Sequence, residues 1–164
     1  MQDMSDNEVL ATISASPGRR FLGLVSITLL GVMVMYVALA RPPALGWQVF
    51  LLLLGGGALW LANAIRLATQ NTIELTSTEL RQQDGKIIAR VEDIQSIDRG
   101  FFAFKPSNGF LVRTKTPGQR TWRPGLWWRL GRQIGVGGMT PGHHSKFMSE
   151  ILSVMLAQRE SGDA

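Results

Sequence analysis

The 164-residue chain contains no cysteine. Disulfides, thiolate metal sites and cysteine nucleophiles are excluded together. The compartment stays open, because a protein without thiols is at home on either side of a membrane. Histidine is scarce: His143 and His144 are the two. Neighbours on a helix point about 100° apart, so they form no bidentate pair. With no acid close before Glu150, no zinc site is expected, and exposed positions at a helix start are the plain reading. No "GxSxG" elbow occurs. "GVGGMTPG" lacks the Gly-Lys-Ser/Thr ending of a phosphate loop; its glycines read as a strand end and a tight turn before a helix. Without a legible nucleophile, base or metal cage, the chain reads as non-enzymatic, with no cofactor.

Charge is missing from a second place. Residues 21–70 hold two arginines, Arg41 and Arg66, and no lysine or acid. Beyond residue 70 lie 13 Lys/Arg and 9 Asp/Glu, a net of +4. The mean hydropathy of +0.09 therefore averages a membrane part and a water-soluble part. "FLGLVSITLLGVMVMYVALA", Phe21 to Ala40, is 20 residues without a charge. At about 1.5 Å of rise per residue, such a helix covers roughly 30 Å, the hydrocarbon thickness of a bilayer. "GWQVFLLLLGGGALWLANAIRL", Gly46 to Leu67, is also long enough to span. Tyr36, Trp47 and Trp60 are aromatics of the interfacial type. The link "RPPALG" is short and proline-broken, so the spans form an antiparallel hairpin. Residues 21–69 are expected as a transmembrane hairpin, between a tail over 1–20 and a soluble domain over 70–160, with 161–164 as a second tail.

Arg19 and Arg20 precede the first span, and Arg66 ends the second ahead of a basic domain; the connecting loop holds only Arg41. The positive-inside rule places both termini in the cytoplasm. A cleaved signal peptide is the competing reading, with "ALA" at Ala38 to Ala40 as its cleavage site. Against it, the apolar run exceeds the usual core of about 7–15 residues, acids Asp3, Asp6 and Glu8 precede it, and Arg41-Pro42 is a poor new N-terminus. In the second span, Gly55, Gly56, Gly57, Ala58 and Ala62 let helix backbones approach closely. They serve either the two spans' own packing or a helix of another membrane protein. Asn63 adds an amide that seeks a partner in lipid, from Ser26 or Thr28 of the hairpin or from a second protein.

After the membrane part the period changes. Ile73 and Leu75 alternate with polar neighbours. Asp84-Gly85 marks a two-residue hairpin, since a type I′ turn needs positive φ at both positions. Ile87, Ala89 and Val91 give a period-2 face, with Ile94 and Ile97 beyond. "GFLVRT" and "QRTW" read as two strands with a turn at "TPGQ" between them; "KPSNG" marks another turn. "RPG" turns the chain, "LWWRLGR" reads as a loop or edge, and "RQIGVGG" as the last strand. Thr140 can cap a helix and Pro141 suits its first position. Phe147, Met148, Ile151, Leu152, Met155 and Leu156 then give an i, i+3, i+4 stripe over about 141–159. The fold class is a membrane helical hairpin plus α+β: about seven short antiparallel strands, as a small sandwich or barrel, closed by a C-terminal helix.

The segment "IELTSTELRQQDGKIIARVEDIQSI" resembles bacterial membrane-anchored pleckstrin-homology-like domains. There an "Ile/Leu-T-x-x-x-L" strand is followed by a glycine turn, a strand and a segment like "I/V-x-D-I-x-x-I". The matching positions are Leu75, Thr76, Leu80, Gly85, Val91, Asp93, Ile94 and Ile97. The order of elements agrees too, and the resemblance covers Phe21 to Arg159. It implies a fold and anchoring in a bacterial inner membrane rather than a catalytic site. Members of this type include accessory and assembly factors of membrane complexes.

One more absence is informative. From Arg99 to Ser149 there are nine Lys/Arg and no acid, while Glu74, Glu79, Asp84, Glu92, Asp93 and Asp98 all come earlier. Three readings stand: a solvated face, a face toward anionic lipid, and a face for an acidic protein. Near a bilayer each basic residue contributes about 1 kcal/mol. Arg120, Trp122, Arg123, Trp127, Trp128, Arg129 and Arg132, with Phe101, Phe102 and Phe104, suit such an interface. Basic and aromatic interleaving also binds single strands, but no nucleic-acid motif is present. The partners expected are the bilayer and a membrane protein, with neither nucleic acid nor metal. The function expected is that of an accessory, scaffold or assembly protein; an anionic-lipid sensor is the first alternative and an enzyme the second.

Overall fold

The structure is a computed structural model and describes residues 8–100 and 106–162. The chain divides into two units: residues 17–67, and the segments on either side of them.

The first unit is two helices, α1 (Pro17–Ala40) and α2 (Leu45–Ala68), of 24 residues each. Both are long and apolar enough to cross a membrane. Pro17 opens α1, where its missing N–H costs nothing, and Pro42 and Pro43 prevent the helix from continuing. The helices run antiparallel. Arg20 Nη2 donates to Arg66 O at 3.5 Å and Gln48 Nε2 to Ala38 O at 3.2 Å. Between those two points Gly31 meets Gly55. A Cβ on Gly55 would lie 2.7 Å from Met35 Cγ and 3.1 Å from Gly31 O. The glycines thus allow the backbones to touch.

The second unit holds two antiparallel sheets. The first has the order β1 (Ala11–Ile13), β2 (Ile73–Leu75), β3 (Glu79–Gln82), β4 (Ile87–Arg90); the second has β5 (Ile94–Asp98), β6 (Phe110–Arg123), β7 (Trp127–Val136). Ile13, Leu75, Leu80, Ile94, Phe110, Val112 and Ile134 from both sheets share one core with Met148, Leu152 and Leu156 of α3 (Gly142–Gly162). α3 packs against β1 of one sheet and β5 of the other, closing the seam between them.

Several expectations need correcting. Residues 1–20 are not simply a tail. β1 pairs with β2 in the register Ala11↔Leu75, Ile13↔Ile73, and Ile13 is fully buried. The alternation Ile87, Ala89, Val91 breaks at a bulge. Leu80 faces Ala89 but Arg81 faces Ile87, so Ile88 is the extra residue; it turns inward and Ile87 outward. The turn at Asp84-Gly85 is present but wider than type I′: Gly85 has φ +86°, Asp84 does not have positive φ, and the Asp84 carboxylate accepts from Lys86 N at 3.1 Å. "TPGQ" is no turn, and "LWWRLGR", expected as a loop or edge, belongs to an edge strand. β6 runs unbroken through Pro117 and Gly118, and β7 begins at Trp127. On α3, Met148, Leu152 and Leu156 are buried while Phe147 is exposed.

Candidate functional site

The basic and aromatic residues gather on the β6–β7 hairpin. Its register explains how they divide. Arg113 faces Gln133, but Gly118 faces Gly131. Residues 114–117 therefore lie opposite Arg132 alone, as a large bulge. Proline is admitted in a sheet at such a place, because no ladder bond is asked of its nitrogen. The bulge is held from several sides. Asp93 accepts from Thr116 N at 3.0 Å and from Thr116 Oγ1 at 2.7 Å. Thr114 Oγ1, fully buried, donates to Thr116 O at 2.7 Å.

The register slips once more between Gly118 and Thr121, and from there to the turn it is regular: Thr121↔Arg129, Trp122↔Trp128, Arg123↔Trp127. Opposite residues on an antiparallel pair share a face. Two faces follow. On the inner face Trp127 is 1% exposed beside fully buried Leu126, with Lys86 Nζ 5.8 Å from its ring centroid. Arg129 is there too and acts as a clasp. Its Nη1 donates to Ile88 O of β4 at 2.7 Å, its Nε to Gly131 O at 3.2 Å and its Nη2 to Thr116 O at 3.3 Å. A guanidinium suits this task because its donors form a rigid planar fork. It ties the bulge of the first sheet to the bulge of the second, and it lies where a Cβ on Gly118 would be. Arg123 is half-buried beside the turn.

The outer face carries Arg120, Trp122, Trp128 and Leu130, which line a shallow cleft of about 470 Å³ together with Thr121 and Arg129. Trp122 is 55% and Leu130 51% exposed; Arg120 and Arg132 are exposed. The Trp128 ring covers Gly135, where a Cβ would strike it. The expected interface is thus corrected. Trp127 belongs to the core, and Arg129, though it borders the cleft, spends its guanidinium in a structural clasp. Leu130 joins the surface instead. A strand reading of "LWWRLGR" would have found it, since Leu130 shares parity with Trp128. Phe101, Phe102 and Phe104 lie outside the described residues.

A second surface lies on α2. Gly55 and Ala62 are buried and Ala58 half-buried, whereas Gly56, Gly57 and Asn63 are exposed. A Cβ on Gly56 or Gly57 would meet nothing within 4 Å. Gly56, Trp60, Asn63 and Leu67 follow at helical spacing along one outward stripe. The hairpin's own packing therefore accounts for Gly55 and Ala62 but not for Gly56, Gly57 or Asn63. Among the described residues, neither Ser26 nor Thr28 supplies the Asn63 amide with a partner.

The chain matches no protein-family model, no curated protein and no solved structure.

Proposed function

We propose that this chain is a two-span protein of the bacterial inner membrane with a pleckstrin-homology-like β domain on the cytoplasmic side. It works without catalysis, as an accessory, scaffold or assembly factor of a membrane complex. The observation that carries this reading is the outward stripe of α2. An amide turned toward hydrocarbon is costly, and a second helix resting on Gly56 and Gly57 relieves that cost by close packing and an interhelical hydrogen bond.

The β1–β2 pairing supports the membrane topology. β1 precedes α1, and β2 follows α2. Strands of one sheet lie on one side of a membrane, so a hairpin inserted between them leaves and returns on the same side. Cleavage after Ala40 would remove Ala11 and Ile13 from the sheet, which argues against a signal peptide. Arg19, Arg20 and Arg66 at the hairpin's open end support a cytoplasmic side there by the positive-inside rule.

The test is native mass spectrometry of the full chain from a mild detergent. A complex of fixed stoichiometry is expected, and Gly56→Leu with Gly57→Leu should dissolve it. A lone monomer under every condition would contradict the reading.

A further inference from the structure

We infer that the outer face of the β6–β7 hairpin is a docking surface for an anionic lipid bilayer, with Trp122, Trp128 and Leu130 entering the headgroup region and Arg120 meeting lipid phosphates. The inference rests on the membrane reading above but not on the presence of a partner protein.

Sidedness is the first argument. The hairpin separates its residues by face rather than scattering them. Trp127 is buried and the Arg129 guanidinium is spent on backbone carbonyls, while Trp122 and Leu130 stay half exposed on the outer face. Tryptophan beside arginine is the pair that an interface favours: an amphipathic ring at headgroup depth and a cation on the phosphates.

Charge complementarity is the second. No acid occurs between Arg99 and Ser149, so nothing on β6 or β7 offsets Arg113, Lys115, Arg120 and Arg132, which are all exposed. The acids that precede them are partly committed elsewhere: Asp93 to the bulge and Glu74 to Arg81 at 3.3 Å. A second copy of this chain would bring the same cations to the face and repel. An anionic bilayer attracts them, and a chain with two membrane-length helices meets one continuously.

The absence of native cysteine gives a clean probe. Leu130→Cys, Gln158→Cys on α3 and Leu54→Cys on α2 are each introduced singly into the full chain, all at exposed positions. Each is labelled with an environment-sensitive fluorophore and reconstituted in nanodiscs of phosphatidylcholine, with or without phosphatidylglycerol. The probe at 130 should report an apolar setting only with phosphatidylglycerol, and should return to water at high salt, where the Debye length is about 3 Å. The probe at 158 should report water throughout. Replacing Arg120 by glutamine should lower the docked-to-free ratio about 5-fold. A probe at 130 that stays aqueous with phosphatidylglycerol, or responds equally to neutral lipid, overturns the docking surface and leaves the solvated or protein-facing alternative. A probe at 54 that stays aqueous overturns the membrane reading itself, and the docking with it.

Discussion

Arg129 and Arg159 show how single residues hold this β domain together. Each spreads its donors over backbone carbonyls that belong to different elements. Arg159, near the end of α3, donates to Val91 O and Glu92 O at 3.1 Å and to Ile94 O at 2.9 Å. It thereby fastens α3 to the 3₁₀ turn where one sheet passes into the other. Lysine cannot reproduce such a fork. Arg129→Lys should therefore destabilise the domain by about 2 kcal/mol, whereas Arg132→Lys at an exposed site should change stability by under about 0.5 kcal/mol. Thermal unfolding of the two variants in one detergent compares them directly. Gln82 is the opposite case. It is fully buried, and neither atom of its side-chain amide has a hydrogen-bond partner among the described residues. An unpaired buried amide costs stability that an apolar side chain of like volume does not. Gln82→Met should stabilise by about 1 kcal/mol, and an unchanged or lower melting temperature would contradict that account.

Among the elements, β6 is the most informative. Its 14 residues bend without breaking, because the bulge at 114–117 takes up the extra chain and Asp93 binds its crest. Asp93→Ala should cost about 1–2 kcal/mol, and Gly118→Ala a similar amount by displacing the Arg129 guanidinium; chemical unfolding of each variant reads the loss. Element types were legible where periodicity was long: both apolar helices, the β3–β4 hairpin, the α3 stripe. Three features were not. "TPGQ" carries the residues of a turn, but a bulge asks for the same residues, and only the pairing of Arg113 with Gln133 and Gly118 with Gly131 distinguishes the two. The inward turn of Ile88 depends on a one-residue slip against β3, which β4 alone does not encode. The sorting of Trp127 from Trp128 needs β7 to be a strand, and its glycines at 131 and 135 disguise that. Of the seven basic and aromatic residues expected at an interface, Trp127 belongs to the core and Arg129 to the clasp.

For the whole molecule the decisive feature is that α1 and α2 are inserted between two paired strands. β1 has three residues, too few to show a pattern, so its role emerges only from its partner. The consequence is testable. A fragment beginning after α2 lacks β1 and leaves the edge of β2 and the inner end of α3 uncovered, so it should unfold at a lower temperature or aggregate. Joining residues 8–16 to residue 69 by a flexible linker should restore a cooperative melt. Equal stability of the two fragments would show that β1 is dispensable.

The central claim is that α2 presents one face to another helix. Photo-crosslinking in native membranes tests it most directly, with a photoreactive residue at Asn63 or, on a different exposed face of α2, at Leu54. The account predicts one adduct of discrete mass from position 63, lost with Gly56→Leu, and none from position 54. Equal adducts from both positions, or none from either, would contradict it.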